Sequence, residues 1–358
     1  MNKYLYNRNF GCRFKEIIEN GYSALIIENE KIRASIYINK GLDIYEFIYK
    51  PLDIDFMWKS PVVLDGNRKT PFTKEWILGN FLDVYEGGWQ DILPNIANPT
   101  NYKGAGFGFH GELYSLTWKY NVIENNPEEV RLRFFTRMER SPLTVSKEFI
   151  IKSNQPVLEI IETINNEADE EFEFMWGQHP AIGQPFLDEN CVIDVPPAAK
   201  AKTHNQKLSE NEIIPLGVEF EWPYIVNSEN EKIDASKVMS AESKTGHIIY
   251  LEDISDGWYG ITNLKKKIGF GLKWDKNIYK HLWMWQIYRG SFGYPWYGRT
   301  YNIALEPWSS VPDDFDAVRN KGNCLKLFAD MSLTAKYSAM VYETENRIKG
   351  FDTNYKPI

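Results

Sequence analysis

The sequence predicts an all-β protein, one large antiparallel β-sandwich with few short helices. Three observations carry this. Apolar and polar residues alternate with a period of two in many short segments, the pattern of half-buried strands. Clusters of Gly, Pro, Asn and Asp separate those segments, as turns do. Aromatic residues are abundant, with 12 Trp, 21 Tyr and 20 Phe in 358 residues, and such side chains favour strands. The length alone suggests two domains, but large all-β units reach it as one. No linker, repeat or low-complexity segment interrupts residues 1–358, so one domain is expected.

The segments "SALIIEN" (23–29) and "KIRASIYI" (31–38) flank a tight polar turn and read as a hairpin. In the second, Ile32, Ala34, Ile36 and Ile38 alternate with Arg33, Ser35 and Tyr37. "GLDIYEFIYK" (41–50) follows another turn. Residues 61–112 are mostly not strand-like and rich in Gly, Pro and Asn; a loop of that length in a compact domain is usually functional. Alternation resumes in "EEVRLRFFTRMER" (128–140) through Val130, Leu132 and Phe134. Residues 143–178 give three strands, punctuated by Ser153-Asn154-Gln155-Pro156 and Asn165-Asn166-Glu167. Further strands are expected in "GHIIYLED", "GWYGITNL", "KIGFGLKWD", "HLWMWQIY", "TYNIALEP" and "AKYSAMVYE". One short helix is expected in "PDDFDAVRNKGN" (312–323), with acidic residues early, Arg319 late and Gly322 as its C-cap.

Composition excludes several classes of partner. A net charge of -8 and a pI near 5.4 argue against nucleic acid, whose phosphates need neutralising. The cysteines Cys12, Cys191 and Cys324 are odd in number and widely spaced, so neither a disulfide framework nor a zinc site is expected. HExxH, HxH, calcium-loop and phosphate-cradling motifs are absent, as is a GxSxG elbow; no metal or cofactor is expected. The N-terminus is interrupted by charge and lacks the apolar stretch of a signal peptide. No apolar run approaches the ~20 residues of a membrane span. The expectation is a soluble, cytoplasmic protein, its oligomeric state open.

Among five histidines, two stand out. His110 lies in "GFGFHGELYSLTW", where Gly106, Gly108 and Gly111 let backbone approach closely. His179 lies in "MWGQHPAIGQPF", at a strand end before Pro180, which holds it extended. An unperturbed histidine titrates near ~6.5 and can move protons at neutral pH; the alternative is a core histidine with satisfied hydrogen bonds. Glu306 ends the apolar run of "YNIALEPWSS", and charged residues are almost never fully buried without a partner. Glu112 shares a face with His110 if the segment is a strand there; the alternative is a solvated surface carboxylate. His204, His247 and His281 read as structural.

At "GGWQDILPN", "FHGE", "WGQHPAIGQPFL" and "ALEPWSS" the sequence resembles the aldose 1-epimerase (galactose mutarotase-like) superfamily, in its divergent bacterial branch. The resemblance runs from "GLDIYEF" to the last strand, and the order and spacing of the HG, HP and EP motifs carry it. It implies a single β-supersandwich with a sugar cleft across one sheet. It puts His179 in the place of the general acid and Glu306 in that of the general base. His110 matches the family's first histidine, which binds a sugar hydroxyl or helps at the ring oxygen. The family's arginine-bearing GRxxNR segment is missing, and Gly87-Gly88-Trp89-Gln90 and Asn95 stand in that region. Glu112 follows the HG pair where the family's HGFAR arginine is absent; a carboxylate there would repel phosphate, so a neutral sugar is expected.

Trp89, Trp176, Trp285 and Gln286 are candidate cleft residues, by stacking or hydroxyl hydrogen bonds, with ordinary core or rim packing as the alternative. The implied activity is cofactor-independent interconversion of sugar anomers through ring opening. An ionised Glu306 facing a protonated His179 would begin it. Two alternatives remain open. A glycoside hydrolase or lyase would use Asp91 or Glu112 as a second carboxylate, and a carbohydrate-binding protein would do no chemistry.

Overall fold

The computed structural model describes residues 8–62, 65–66, 79–96, 98–197, 200–252 and 254–358. Antiparallel hairpins build most of it. Arg13–Glu19 pairs with Tyr22–Glu28 in the first, and Tyr22–Glu28 pairs with Ile32–Tyr37 in the next. At its turn the Asn29 side-chain oxygen accepts from the Lys31 and Ile32 amides at 2.8 Å each, the self-capping that suits Asn to turns. Each later segment with period-two alternation also forms a strand, ending with Ser332–Glu343. The expected helix is Phe315–Asn320; Asp314 caps it by accepting from the Ala317 amide at 2.8 Å, and Gly322 lies just beyond at φ +71°.

Among the described residues the strands gather into one sheet of twelve and one of eight, with three small two-stranded pairs. The centre of the larger sheet runs Ile44–Tyr49, Trp89–Ile92, Gly177–Ile182, Tyr301–Trp308, His281–Tyr288 and Thr245–Glu252, every pair antiparallel. The smaller sheet has Ser332–Glu343, Val157–Asn166 and Leu143–Lys152 at its middle. The two pack face to face around one continuous apolar cluster, with Phe47 against Phe270 and Trp89 against Tyr337. This is the sandwich the alternation predicts.

Three elements depart from expectation. Arg13–Glu19 forms a strand ahead of the first one expected. His179, expected at a strand end before Pro180, lies with Pro180 inside the strand Gly177–Ile182, where the two pair with Gln90 and Trp89. Trp89–Ile92 lies inside the stretch 61–112 that reads as mostly not strand-like, yet it is a central strand of the larger sheet. Its four residues draw their pairing from Gly177–Ile182 and Ile44–Tyr49, so non-local ladders override the surrounding Gly and Pro. Residues 63–64, 67–78 and 97 of that stretch lie outside the described residues.

Register fixes which side chains share a face. Gln90 pairs with His179, Gly177 with Trp308, Ala181 with Ala304, and Trp283 with Glu306. Successive strand residues point to opposite faces, so Gln90, His179, Glu306 and Trp283 form one row across four neighbouring strands. That row is on the sheet's outer face. The next residues along, Trp89, Asp91 and Gln178, point into the sandwich. There Trp89 Nε1 donates to Gln178 Oε1 at 2.8 Å, and Gln178 Nε2 lies 3.3 Å from Glu162 Oε2 and from the Tyr279 hydroxyl. Lys147 sits between Asp91 and Glu162, its ammonium 3.5 Å from the latter and bonded to the former. Tyr337 donates to Glu162 at 2.6 Å.

Candidate active site

His179 and Glu306 are each 5% exposed. Their facing atoms, Nε2 and Oε1, are 3.4 Å apart, a separation that follows from the register on either side of them, Gly177 against Trp308 and Ala181 against Ala304. Each group is held from behind. The Tyr85 hydroxyl lies 3.2 Å from His179 Nδ1, and Trp308 Nε1 donates to Glu306 Oε2 at 3.0 Å. Trp308 reaches that position because Gly177 opposite it has no side chain; a Cβ there would overlap the indole.

Burial governs the protonation of the pair, because a low-dielectric site disfavours the charged form of each group. It lowers His179 to about 4. It raises the Glu306 carboxyl to about 8, the Trp308 hydrogen bond pulling weakly the other way. Sequence reasoning expects an ionised Glu306 facing an imidazolium. The structure instead favours the neutral forms, with the pair's one proton resting on Glu306. Burial likewise keeps the Tyr85 hydroxyl protonated, well above its ordinary value.

His110 completes the histidine set, its ring centroid 5.7 Å from that of His179. It has φ +62°, uncommon outside glycine, and the chain is fixed on both sides of it. Gly111 comes so close to the Leu93 carbonyl that no Cβ fits, and the Glu112 amide donates to the same carbonyl at 3.0 Å. Asn95 Nδ2 donates to the Gly108 carbonyl at 3.0 Å. Burial, with His179 adding to it, holds the His110 imidazole well below its ordinary value.

Aromatic rings wall the site. Phe81 lies edge-on to His110 at 4.6 Å and His179 at 6.4 Å. Trp285 stands 6.1 Å from His179. Trp58, Tyr85 and Trp296 pack on one another and on Trp285 at 5.3–6.4 Å. Two polar atoms in the row have no partner among the described residues: Gln90 Oε1 and Trp283 Nε1. Among those residues, no group of three His, Cys, Asp or Glu could hold a metal ion.

The structure therefore brings His110, His179, Glu306, Gln90 and Trp285 together. It puts the other sequence candidates elsewhere. Trp89 and Gln286 lie on the face turned to the second sheet, where the Tyr288 hydroxyl donates to Gln286 at 2.6 Å. Trp176 is fully buried against Tyr279. Glu112 spends its carboxylate on the amides of Glu139, Arg140 and Ser141 and the Ser141 hydroxyl, at 3.1–3.3 Å. This removes the electrostatic reason for expecting a neutral sugar. Asn95 positions the His110 loop. Sequence reasoning missed Trp58, Phe81, Tyr85, Trp283 and Trp296; the only local signal is that Tyr85 stands two residues before the Gly87-Gly88-Trp89-Gln90 motif.

Comparison with known proteins agrees with this architecture. Among solved structures, the chain is similar to a proposed aldose 1-epimerase from Klebsiella pneumoniae, with a TM-score of 0.75 at 12% identity over 96% of this chain and 86% of that one. It is also similar to a galactose mutarotase related enzyme from Lactobacillus acidophilus, with a TM-score of 0.60 at 16% identity over 91% and 100% of the two chains. A galactose mutarotase-like protein from Clostridium acetobutylicum gives 0.58 at 12% identity over 93% and 99%. No curated protein matches the chain in sequence. Among the described residues no helix is long and apolar enough to cross a membrane. Residues 19–339 match the model of a family described as a domain of unknown function, DUF4432. The chain has the galactose mutarotase-like fold and belongs to the DUF4432 family.

Proposed function

We propose that the protein is an aldose 1-epimerase, a cofactor-independent isomerase that interconverts the α and β anomers of a sugar by general acid–base ring opening. The observation that carries this is the isolated His179–Glu306 pair, buried, one proton between its members, on the outer face of the larger sheet.

Ring opening needs a proton taken from the anomeric hydroxyl O1 and one given to the ring oxygen O5. Both oxygens are bonded to C1, so two adjacent side chains can serve them at once. One member of the pair accepts the O1 proton as the other donates to O5. The C1–O5 bond breaks, C1–O1 becomes a carbonyl, and the pair still holds one proton, now on the opposite member. C1 rotates, the two transfers run in reverse, and ring closure on the other face restores the starting state. With Glu306 as base and His179 as acid, the proton begins on His179; with the roles exchanged, it begins on Glu306. Tyr85 serves either form, since its hydroxyl can donate to Nδ1 or accept from it. Positioned acid–base groups each contribute about 10²–10⁴ in rate, enough for this step.

The site favours this over glycoside hydrolysis. A hydrolase needs a second carboxylate across the cleft, but Asp91 is held by Lys147 inside the sandwich and Glu112 by the backbone of 139–141. A neutral sugar is kept in the proposal on different grounds from those the sequence suggested: the groups against His179 are rings and one carboxyl rather than cations. The test is saturation-exchange NMR between α and β anomers over a panel of neutral, acidic and phosphorylated sugars. Catalysed exchange of a neutral aldose is expected. Binding without acceleration of any member would make the protein a carbohydrate-binding module instead.

A further inference from the structure

The turn at 289–299 joins His281–Tyr288 to Tyr301–Trp308 in the larger sheet. It carries Trp296 inward, where the ring is buried and meets Trp58, Tyr85 and Trp285 at 5.3–6.0 Å. The same turn holds Phe292 and Tyr297 outward, 57% and 59% exposed. It is tightly closed: the Tyr297 amide donates to Gly293 at 2.7 Å and the Gly298 amide to Ser291 at 2.8 Å. The Phe292 ring lies against Gly298, next to Tyr297 in the chain, where a Cβ would meet it at 2.9 Å. Tyr297 itself has φ +50°, a conformation bulky residues avoid, so the backbone accepts strain while its ring faces solvent. Tyr294, between them, donates to Asp83, next to the Phe81 helix that covers His110 and His179. The turn thus borders the candidate active site.

We infer that Phe292 and Tyr297 form a second sugar-binding position, and that the substrate class is the reducing end of an oligosaccharide rather than a free monosaccharide. This rests on the anomer-exchange reading of the His179–Glu306 pair. Continuity argues for this occupant, because one short turn lines the inner site with Trp296 and presents the outer rings. Composition argues the same way. Residues 289–299 contain no Leu, Ile, Val, Met or acidic residue, only aromatic faces and the hydrogen-bonding ends of Ser291, Arg289 and Arg299. Flat rings beside donors suit the apolar face and the hydroxyls of a pyranose. The Arg299 guanidinium stands 5.8 Å from the Tyr297 ring.

The experiment compares glucose and galactose with maltotriose, cellotriose and β-1,4-galactotriose, measuring anomer exchange by NMR in the full chain. For at least one trisaccharide, kcat/KM is expected to exceed that of its own monosaccharide tenfold or more. The Phe292→Ala/Tyr297→Ala variant should bring that ratio close to one, and Tyr297→Trp, which keeps the platform, should retain it. A ratio near one for all three trisaccharides in the unmodified protein overturns the inference, as does a ratio that survives the double substitution. A change of oligomeric state by light scattering with the ratio retained also overturns it, making the surface an interface between copies. Calorimetric binding of the trisaccharides to Glu306→Gln, with and without the double substitution, separates the two proposals. Binding weakened tenfold by the substitution in a protein that exchanges no sugar keeps the outer position and removes the anomer chemistry.

Discussion

At the scale of single residues, the proposed chemistry rests on two side chains, His179 and Glu306, that burial has pushed toward each other's protonation state. His179→Ala and Glu306→Gln are each expected to lower kcat for anomer exchange by about 10²–10⁴, with the fold retained by circular dichroism. Full activity in either would refute their assignment. The pH dependence follows from the shifted values. Below about 4, His179 gains a second proton for the pair and no base remains. Above about 8, Glu306 loses the last one and no acid remains. A bell-shaped profile with limbs near those values is expected, and because the groups are coupled the limbs belong to the pair. A single limb near ~6.5, the ordinary histidine value, would show that burial does not control the site. The identity of both residues was legible in their short motifs. Their protonation was not, since it depends on desolvation by residues far away in sequence.

At the scale of elements, the pair depends on how strands Gly177–Ile182 and Tyr301–Trp308 meet. Gly177 leaves the space that Trp308 occupies, and Trp308 holds Glu306 Oε2. Gly177→Ala should push the indole away, costing about 1–3 kcal/mol by overpacking and lowering kcat, measured by denaturant midpoint and NMR exchange. Unchanged activity would separate Trp308 from the chemistry. Most strands were legible from alternation, down to the Asn29 turn. Trp89–Ile92 was not. It is four residues long in a Gly-rich and Pro-rich stretch, and becomes a strand only because partners about 45 and 90 positions away along the chain complete its hydrogen bonds.

At the scale of the whole molecule, the sheet that carries the site is pinned to its partner sheet by a buried charged network. Asp91, Lys147 and Glu162 are each at most 2% exposed, directly behind the Gln90–His179 pair. Burial and the nearby Asp91 raise the Glu162 carboxyl to about 8, while Asp91 and Glu162 together keep Lys147 charged. Lys147→Met would strand both carboxyls, and breaking a buried pair in this way costs about 3–5 kcal/mol, readable as a fall in the urea midpoint. A cost below about 1 kcal/mol would place the network among interchangeable core contacts. Asp91 read from sequence as a candidate second carboxylate, because alternation does not say which side of a two-sided sheet is dry.

The sequence by itself determined the all-β class, most strands and the capped helix, and it singled out His110, His179 and Glu306 as candidates. Each is written locally, in period-two alternation, turn residues or a short motif. Only the tertiary structure decided the rest. It turned Trp89, Trp176 and Gln286 inward and gave Glu112 to a neighbouring loop. It also gathered Trp58, Phe81, Tyr85 and Trp296 around the pair, and by burying the pair it lowered His179 and raised Glu306. The physical reason is common to all of these. Which face of a strand is buried, and how dry a group becomes, depend on what packs against it, and in an antiparallel sandwich those neighbours come from distant parts of the chain.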